Sequence, residues 1–379
     1  MLIPRFSGNV PANLCIVGGF GAIVGLAHSQ KGQQVTQKER TPVSRVIRVT
    51  LNDVAEAAGV SKSTVSRILD ERLPRSESET ARKVRDVAAR MGYMRDVAAA
   101  SLRRGKTLTI GVIVPRLTDT VMAMLYEELA AACARTGRSA IVATSGDDPT
   151  ADRAAAESLL QRGVDGLVLS TARTDDAFPE ELAFRGVPYV LALRTDGRSL
   201  SAVGDDRLGG YLATRHLIDL GHQRIAIIAG PDYASSSRKR LDGYRDALAE
   251  AGIAENPALI MPSTFGIDSG ADAAERLLAL PAKPTAIFAV NDNTAIGALS
   301  ALVRAGLSVP KDISLVGYND IPIVSRLPVP LTTLRVPFDQ IAAAALELLD
   351  SEAHPHTPIR RIAPTLIPRQ STARPPSGT

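Results

Sequence analysis

The chain has 379 residues, of which 45% are hydrophobic and 22% are charged. This length predicts two or three domains, and the composition is typical of a soluble globular protein. No run of about 18 apolar residues is present, so the sequence predicts no membrane span. The two cysteines, Cys15 and Cys133, and the five histidines show neither a disulfide framework nor a metal-ligand spacing. We therefore expect no metal and no cofactor.

Charge is distributed unevenly along the chain. The net charge is +4, but residues 38–106 contain 16 Lys or Arg and nine Asp or Glu, whereas residues 107–379 contain 26 and 31. A basic segment attached to a mildly acidic body indicates that this segment alone binds a polyanion.

Residues 1–48 show no regular pattern. The stretch Leu14–Ala27 is apolar and rich in glycine, and its length suits the hydrophobic region of a signal peptide. No clean small-x-small cleavage site follows it. The glycines Gly19, Gly21 and Gly25 are not followed by the strand–helix–strand unit that a nucleotide-binding fingerprint needs. We expect residues 1–48 to be a disordered extension or a mis-assigned start.

The stretch Val49–Asp70 contains two short helical patterns on either side of Gly59. Apolar residues of the first pattern recur at the spacing of one helix face, namely Leu51, Val54, Ala55 and Ala58. Gly59 is the residue type that most easily takes the left-handed conformation at a helix end. Ser61 can cap the second helix with its hydroxyl group. The spacing therefore predicts two helices joined by a tight turn.

The second predicted helix has one apolar and one polar side. Its apolar side contains Val65, Ile68 and Leu69, and its polar side contains Lys62, Ser63, Ser66 and Arg67. Helix, glycine-containing turn and helix is the layout of the helix-turn-helix, whose second helix enters the major groove of DNA. A surface helical hairpin is the alternative that the spacing alone leaves open.

The identity of these residues adds to the evidence from their spacing. Residues Thr50–Arg67 closely resemble the DNA-binding headpiece of the lactose-repressor/galactose-repressor (LacI/GalR) family of bacterial transcriptional regulators. The resemblance implies a headpiece, expected over residues 49–94, that reads a pseudo-palindromic operator in double-stranded DNA. It also implies a homodimer or a tetramer made of two dimers, because a two-fold protein matches a two-fold operator.

The resemblance implies roles for individual side chains. Lys62, Ser63 and Arg67 match family positions that contact bases; Lys and Arg can donate to guanine, and Ser suits either base type. Other side chains and the helix starts, where backbone N–H groups favour phosphate, would fix the register on DNA without reading its sequence. The residues expected to contact phosphate are Thr50, Ser61, Thr64, Ser66 and Tyr93.

A third helix is predicted from about Glu77 to Met91. Ser76 and Glu79 form a capping-box pattern at its start, and Gly92 ends it. The polar loop before this helix is one residue longer than is usual in the family. The extra residue indicates an insertion within Glu71–Leu73.

Residues 95–106 are expected to form a hinge helix or linker. The resemblance implies a helix that orders when two protomers pair on DNA, with Leu102 as the leucine that wedges into the minor groove. An isolated helix this short is marginal in water, so it would need its partner and DNA. Arg95, Asp96 and Ala100 replace the Pro-Asn pair and the arginine usual in the family. A plain alanine-rich linker is the alternative.

From Leu108 onward, short apolar runs alternate with helical patterns in two series, and the second series starts after Asp206. This alternation is typical of parallel sheets with helices on both faces. The segments also resemble the periplasmic-binding-protein-like core of the same family. The closest matches are Leu220–His222, Arg240–Tyr244, Val290–Asp292, Val316–Asp320 and Pro330–Thr333.

The predicted fold class is an all-α helix-turn-helix headpiece plus an α/β core of two doubly wound parallel-sheet subdomains. The core, expected over residues 107–372, would bind the effector and dimerise. Its first subdomain is expected at about 107–205 and 336–360, and its second at about 206–335 and 361–372. Residues 373–379 are expected to be a disordered tail.

In open α/β sheets, ligands bind beyond the carboxyl ends of the strands. The polar residues expected at these ends are Asp119, Ser170, Arg194, Arg240, Asn291 and Asn319. The resemblance implies ligand contacts from Arg240, Asn291 and Asn319, and it implies that Phe265 packs on the ligand. The alternative for Arg194 is a structural role in place of ligand binding, because ion pairs are common in such folds.

Two positions differ from those of sugar-binding relatives. Leu193 stands where some relatives carry an aspartate that accepts hydrogen bonds from sugar hydroxyls, and Asn319 replaces the more frequent aspartate. A less acidic cleft that keeps Arg240 suits a sugar acid or a phosphorylated sugar, although a neutral sugar is the plainest expectation. Asp292 and Asp320 are expected to be structural.

The resemblance implies a cytoplasmic, nucleoid-associated regulator, most simply a repressor, whose operator affinity changes when a small-molecule effector such as a sugar binds between the subdomains. The sequence leaves open whether the effector releases or promotes DNA binding. A periplasmic-type sugar-binding protein is the alternative, but it would need a signal peptide and no helix-turn-helix. An enzyme is not expected, because the sequence has no P-loop, metal spacing, G-x-S-x-G motif or paired catalytic groups.

Overall fold

The structure, a computed structural model, describes residues 49–70, 74–94, 106–351 and 358–376. These residues belong to two units that divide between Arg95 and Asp96. Three of the sequence predictions lie outside the described residues: the extension at 1–48, the insertion within Glu71–Leu73, and the hinge segment with Leu102.

Three helices form the first unit, the headpiece: α1 Leu51–Ala58, α2 Lys62–Ile68 and α3 Glu79–Arg90. Their apolar faces meet in one core, where Val54, Val65 and Val84 are fully buried. Ala55 and Ala58 join Val54 in this core, so the predicted apolar stripe of α1 is confirmed.

Local hydrogen bonds set the ends of α1 and α2. Thr50 and Asp53 form a capping box, in which the Thr50 N–H donates to Asp53 Oδ2 at 2.7 Å and the Asp53 N–H donates to Thr50 Oγ1 at 3.4 Å. Gly59 has a φ of 70°, and this left-handed conformation ends α1 as predicted. Ser61 Oγ accepts from the Thr64 N–H at 3.2 Å, so the predicted cap of α2 is confirmed.

The third helix begins two residues later than predicted. Its cap is Ser78, whose Oγ accepts from the Ala81 N–H at 3.2 Å. The predicted cap, Ser76, is wrong because its hydroxyl oxygen accepts from the Ser78 N–H at 3.4 Å. Ser76 therefore shapes the turn that precedes the helix.

The second unit contains two six-stranded sheets. The first sheet is parallel throughout and contains β1 Thr109–Val114, β2 Ser139–Thr144, β3 Gly166–Leu169, β4 Tyr189–Ala192, β5 Ser201–Gly204 and β11 Ile359–Ile362. Their order across the sheet is β11–β5–β4–β3–β1–β2. The helices packed around this sheet are α4 Thr120–Arg135, α5 Pro149–Gln161, α6 Phe178–Phe184 and α11 Phe338–Leu349.

The second sheet contains β6 Ile225–Ala229, β7 Ile260–Pro262, β8 Ala286–Ala289, β9 Ser314–Asn319, β10 Thr332–Arg335 and β12 Thr365–Ile367. Their order is β12–β10–β9–β8–β6–β7, and only the β12–β10 pair in this sheet is antiparallel. Its helices are α7 Asp206–Asp219, α8 Ser235–Glu250, α9 Ile267–Leu278 and α10 Asp292–Arg304. Short 3₁₀ turns lie at Pro257–Leu259 and Pro322–Ser325.

The predicted fold class is confirmed. The strands β3, β6, β8 and β9 are buried along their whole length, as the apolar runs in the sequence indicate. The pattern did not reveal β5, β10, β11 and β12, because each of these short strands contains Ser, Thr or Arg and lacks a clear apolar run, and β11 exposes two arginines. Within the described ranges, no helix is long and apolar enough to cross a membrane.

The chain passes between the two sheets three times. The passages follow Gly204 at the end of β5, Arg335 at the end of β10 and Ile362 at the end of β11. Three short connections therefore join the two halves of the core.

The expected disordered tail at 373–379 is wrong for Ala373. Its N–H donates to Ser314 Oγ at 3.0 Å, and its carbonyl oxygen lies 2.9 Å from His222 Nε2. The other ring nitrogen of His222, Nδ1, lies 2.8 Å from Thr285 Oγ1. A buried histidine thus fixes the start of this segment to the second sheet.

Asp292, the first residue of α10, is fully buried and joins three elements. Its Oδ1 accepts from Thr333 Oγ1 at 2.7 Å, and its Oδ2 accepts from the Ile321 N–H at 2.9 Å. Burial raises the pKa of Asp292 to about 7, against an ordinary value of 3.8, although these two hydrogen bonds oppose the shift. The expected structural role of Asp292 matches these contacts.

The variant Asp292→Asn should remove a pH dependence of stability. The folded state holds this proton more tightly than the unfolded state, so the Asp292 contribution is fully present below about pH 4 and is lost as the pH rises to about 7. The loss amounts to no more than about 4 kcal/mol. An asparagine stays neutral and can still accept from the Ile321 N–H and donate to the Thr333 hydroxyl. Denaturant unfolding at pH 5 and pH 8 measures the difference, and parallel pH profiles for both proteins would contradict it.

Candidate functional site

The outer side of α2 presents the residues expected to read DNA. Lys62, Ser63 and Arg67 are exposed, whereas Val65 on the opposite side is fully buried in the headpiece core. The Ser61 hydroxyl lies 2.8 Å from both the Ser63 and the Thr64 hydroxyls. Val65 therefore packs α2 against the headpiece core, and the polar side of α2 faces outward.

The residues expected to contact phosphate differ in burial and in whether their side chains already form hydrogen bonds within the headpiece. Thr64, Ser66 and Tyr93 are half-buried, and Tyr93 packs against the headpiece core. The Thr50 hydroxyl donates to Asp53 Oδ2 at 2.8 Å, so it serves the capping box of α1. Ser61 is likewise occupied as the cap of α2.

A cavity of about 520 Å³, counting its open mouth, lies at the carboxyl ends of strands from both sheets. The cavity is lined by Pro115, Arg116, Asp119, Val121, Met122, Asp147, Leu193, Arg194, Ser236, Arg240, Phe265, Asn291 and Asn319. Six of the seven residues expected to bind the effector are therefore brought together.

Ser170 is the seventh residue: it lies at the carboxyl end of a strand, as expected, but it does not line the cavity. Its side chain is fully buried, and its hydroxyl donates to the Ile113 carbonyl oxygen at 3.1 Å. Ser170 follows β3, where it points toward the neighbouring strand β1 rather than into the cavity. The position after a strand predicts the right edge of the sheet but not the direction of the side chain.

Arg194 and Asp147 form a buried ion pair in the cavity wall. Arg194 Nη1 donates to Asp147 Oδ1 at 2.8 Å, and the two side chains are only 5% and 11% exposed. The guanidinium carbon of Arg194 lies 5.7 Å from the ring centroids of both Phe265 and Tyr233. The pair is thus held in place by aromatic rings and can still present guanidinium donors to a ligand.

Arg240 forms the second buried ion pair. Its Nε donates to Asp206 Oδ1 at 2.8 Å, and its Nη1 donates to the Val290 carbonyl oxygen at 2.7 Å. Its guanidinium carbon lies 3.7 Å from the centroid of the Tyr318 ring. The expected position at a strand end is wrong, because α8 begins at Ser235 and Arg240 lies in its second turn.

Asn319 supplies a free acceptor. It is 2% exposed, and its Oδ1 has no hydrogen-bond partner within the described structure. Asn291, by contrast, caps α10: its Oδ1 accepts from the Thr294 N–H at 2.8 Å, and its Nδ2 donates to the Phe265 carbonyl oxygen at 3.0 Å. An unpaired buried acceptor is costly, so a ligand that donates to Asn319 would relieve that cost.

The core has two halves, one built on the first sheet and one on the second. Asp119 connects these two halves at the cavity. Its Oδ1 accepts from the Val121 N–H at 3.1 Å, as the cap of α4, and from Asn293 Nδ2 at 3.2 Å. Asn293 belongs to α10, on the other sheet. Burial raises the pKa of Asp119 above its ordinary value, although these hydrogen bonds oppose the shift.

Strained backbone is concentrated around this cavity. Four of its residues have a positive φ without being glycine: Asp147 at 66°, Leu193 at 63°, Phe265 at 68° and Asn319 at 108°. Such conformations cost free energy and cluster at ligand sites in proteins. Gly230 makes room for one of them, since a Cβ there would lie 2.5 Å from Phe265 Cε1.

The two buried arginines of the cavity are paired with carboxylates that the sequence pattern did not assign to the site. Asp147 lines it beside Arg194, and Asp206 neutralises Arg240 from behind. Each of these two arginines already has a carboxylate partner, so the expectation that Arg240 favours an acidic ligand loses its basis. Among the described residues, no group of three or more His, Cys, Asp or Glu could hold a metal ion.

Comparison with known proteins matches both units. Residues 50–96 match the family model of bacterial regulatory proteins of the lacI family, and residues 214–372 match that of the periplasmic binding protein-like domain. The ribose operon repressor of Escherichia coli K12 is 37% identical over 304 residues, which are 79% of this chain and 92% of that protein. The chain belongs to the LacI family.

Other matched proteins cover between 70% and 86% of this chain. The transcriptional repressor PurR of Haemophilus influenzae PittEE is 33% identical over 331 residues, 85% of this chain and 98% of that protein. The Lac repressor bound to ONPG in its repressed state has a TM-score of 0.77 and 31% identity, covering 86% of this chain and 100% of that one. A LacI-family regulator from Enterococcus faecium with bound ribose has a TM-score of 0.61 and 29% identity, covering 70% and 99%.

Membership of the LacI family makes the chain a DNA-binding transcriptional regulator. The matched headpiece precedes the matched core in the chain. The alternative of a periplasmic-type sugar-binding protein without a regulatory role is not favoured, because residues 50–96 match the lacI family model and these relatives are named as repressors. These relatives are transcriptional repressors.

Proposed function

We propose that this regulator is a repressor that binds a pseudo-palindromic operator as a homodimer and whose operator affinity is set by a neutral sugar in the cavity. Ribose is the first candidate. The observation that carries the effector assignment is the unpartnered Oδ1 of Asn319, which faces a cavity whose two buried arginines are already neutralised. A sugar hydroxyl is the neutral donor that such an acceptor fits.

The relatives support the same ligand class. One matched relative is a ribose operon repressor, and one matched structure holds ribose. Phe265 offers an apolar ring, and Asp119 and Asp147 offer further acceptors around the cavity. Acceptors of this kind let a site require hydroxyl groups and reject ligands that lack them. We expect the chain to bind its effector without converting it, and to act in the cytoplasm, where its DNA target lies.

The decisive experiment is a footprint of the full-length protein on the DNA upstream of its own gene. The footprint is repeated with D-ribose, with other neutral sugars and with sugar acids. We expect one protected pseudo-palindrome whose protection changes with a neutral sugar, and calorimetry should show that this sugar binds the free protein. Binding of sugar acids alone would reject the ligand class. Absence of a protected site would reject the operator.

Arg67→Ala should relax base preference at the operator. Arg67 is exposed on α2 and matches a base-reading position, so its loss should cost about 1–3 kcal/mol in discrimination. Lys83→Ala is the matched control, since Lys83 is exposed on α3 and its loss removes the same charge from the headpiece. A binding selection with randomised operators measures preference. Equal operator preference in the wild type and Arg67→Ala would refute the role.

A further inference from the structure

The segment after β6 reaches from the second half of the core to the first. It contains Tyr233, whose carbonyl oxygen accepts from the Thr174 N–H at 3.0 Å and from Thr174 Oγ1 at 3.3 Å. Thr174 follows β3 of the first sheet, whereas Tyr233 follows β6 of the second. The two halves of the core are therefore joined directly by this segment.

The side chain of Tyr233 strengthens this connection. The guanidinium carbon of Arg173 lies 3.7 Å from the centroid of the Tyr233 ring. Arg173 is held in this position by Asp175, with two hydrogen bonds of 3.0 Å. A guanidinium on an aromatic face is attractive, and more so when it is shielded from water. Arg173, like Thr174, belongs to the first half of the core.

The hydroxyl of Tyr233 reaches the cavity wall. Its Oη donates to Asp147 Oδ2 at 3.4 Å, and Asp147 is the carboxylate that holds Arg194. Burial raises the pKa of Tyr233 above its ordinary value, so the hydroxyl keeps its proton and remains a donor at neutral pH. One carboxylate therefore links a cavity arginine to a residue of the opposite half.

Two further contacts lie beside these. The Thr195 N–H donates to Ser235 Oγ at 2.8 Å, and Arg238 Nη1 donates to Thr174 Oγ1 at 3.4 Å. Both again join residues of the first half to residues that follow β6. The contacts of Tyr233 are thus the centre of a small interface that exists only while the two halves are close together.

We propose that Tyr233 is a positioning residue that clasps the two halves of the core over the cavity and, through Asp147, holds Arg194 toward the effector. We call Tyr233 with Arg173, Thr174 and Asp147 the Tyr233 clasp. The proposal rests on the effector role of the cavity. When the halves separate, the contacts of the clasp break, and Asp147 loses its hydrogen bond from Tyr233 of the second half. An effector on Arg194 stabilises the clasp, and the clasp raises the affinity for the effector by the same factor, because coupling between binding free energies is reciprocal. Affinity differences of this kind lie mostly in the dissociation rate, so the clasp slows release of the effector.

The test compares Tyr233→Phe, which loses only the hydroxyl, with Tyr233→Ala, which also loses the ring. In the full-length protein, D-ribose should dissociate roughly 3- to 10-fold faster from Tyr233→Phe, the effect of one hydrogen bond, and faster still from Tyr233→Ala. Tyr211→Phe is the control, since the Tyr211 Oη donates to Glu250 on the surface of α7 and α8, at 2.8 Å. Its dissociation rate should equal that of the wild type.

A second measurement needs no ligand. Amide hydrogen exchange at Thr174 and Thr195 reports how often the two halves separate, and Tyr233→Ala should exchange roughly tenfold faster at both amides. Denaturant unfolding of Tyr233→Phe should match the wild type, which separates positioning from a loss of fold. Unchanged exchange at both amides in Tyr233→Ala overturns the clasp, whatever the ligand. If D-ribose does not bind the wild type, the proposed ligand fails while the exchange result still decides the clasp.

Discussion

Asp206→Ala should destabilise the core by about 3–5 kcal/mol, because it leaves the buried guanidinium of Arg240 without its carboxylate. The two side chains are 7% and 9% exposed, and the Nε–Oδ1 distance is 2.8 Å. The remaining neighbours of Arg240, the Val290 carbonyl and the Tyr318 ring, cannot replace a negative charge. The free energy of unfolding in denaturant measures the effect.

The same pair of helices offers a matched control. Asp246 of α8 pairs with Arg207 of α7, but these side chains are 40% and 59% exposed. Asp246→Ala should therefore cost about 0–1 kcal/mol, the usual value of a surface pair. Replacing both buried partners, as in Asp206→Leu with Arg240→Met, should recover much of the lost stability. Equal costs for Asp206→Ala and Asp246→Ala would show that burial of the first pair does not determine its contribution.

The headpiece could be predicted closely because its signals are local. A glycine at Gly59 and a hydroxyl at Ser61 act within a few residues, and both do what the sequence indicates. The error at Ser76 is of the same local kind: two serines, Ser76 and Ser78, compete for one cap. Only the hydrogen bond between them decides which one faces the helix.

In the core, an element could be predicted from the sequence only where it carries its own apolar pattern. The helix α11, Phe338–Leu349, carries an apolar pattern of its own, and seven of its residues are buried at helical spacing. The strand β11 could not be found, because Ile359–Ile362 becomes a strand only by pairing with β5, more than 150 positions earlier in the chain. An edge strand with two exposed arginines has no pattern by which it can be recognised.

The cavity residues likewise differ in how far they could be predicted from the sequence. Arg194 and Asn319 could be predicted, because they stand at the ends of strands whose apolar runs are clear. Asp147 also follows a strand, β2, and the same rule could have identified it. Its pairing with Arg194 depends on a left-handed backbone at φ 66° and on a partner 47 positions away. Asp147 was not identified from the sequence, and its presence removes the reason to expect an acidic ligand. An arginine without a carboxylate partner attracts an acid, whereas a paired arginine does not.

Gly243→Ala is expected to be nearly as damaging as the loss of Asp206. A Cβ at Gly243 of α8 would lie 2.0 Å from the Arg207 carbonyl oxygen and 2.5 Å from the Tyr211 N, both on α7. These are backbone atoms, which cannot rotate away, so the two helices must separate. Overpacking of this kind typically costs 1–3 kcal/mol, and contact with backbone on both sides places the expected cost at about 3 kcal/mol or more.

The same substitution should weaken sugar binding, because helix spacing also sets the ion pair beside the cavity. Arg240 lies one turn before Gly243 on α8, and Asp206 precedes Arg207 on α7, so separating the helices lengthens the Arg240–Asp206 contact. Gly204→Ala is the control, since a Cβ there meets nothing closer than 3.9 Å. Unfolding in denaturant and sugar titration are measured on both variants. A Gly243→Ala protein that loses stability but keeps the wild-type sugar affinity would mean that Arg240 holds its place independently of the spacing between α7 and α8.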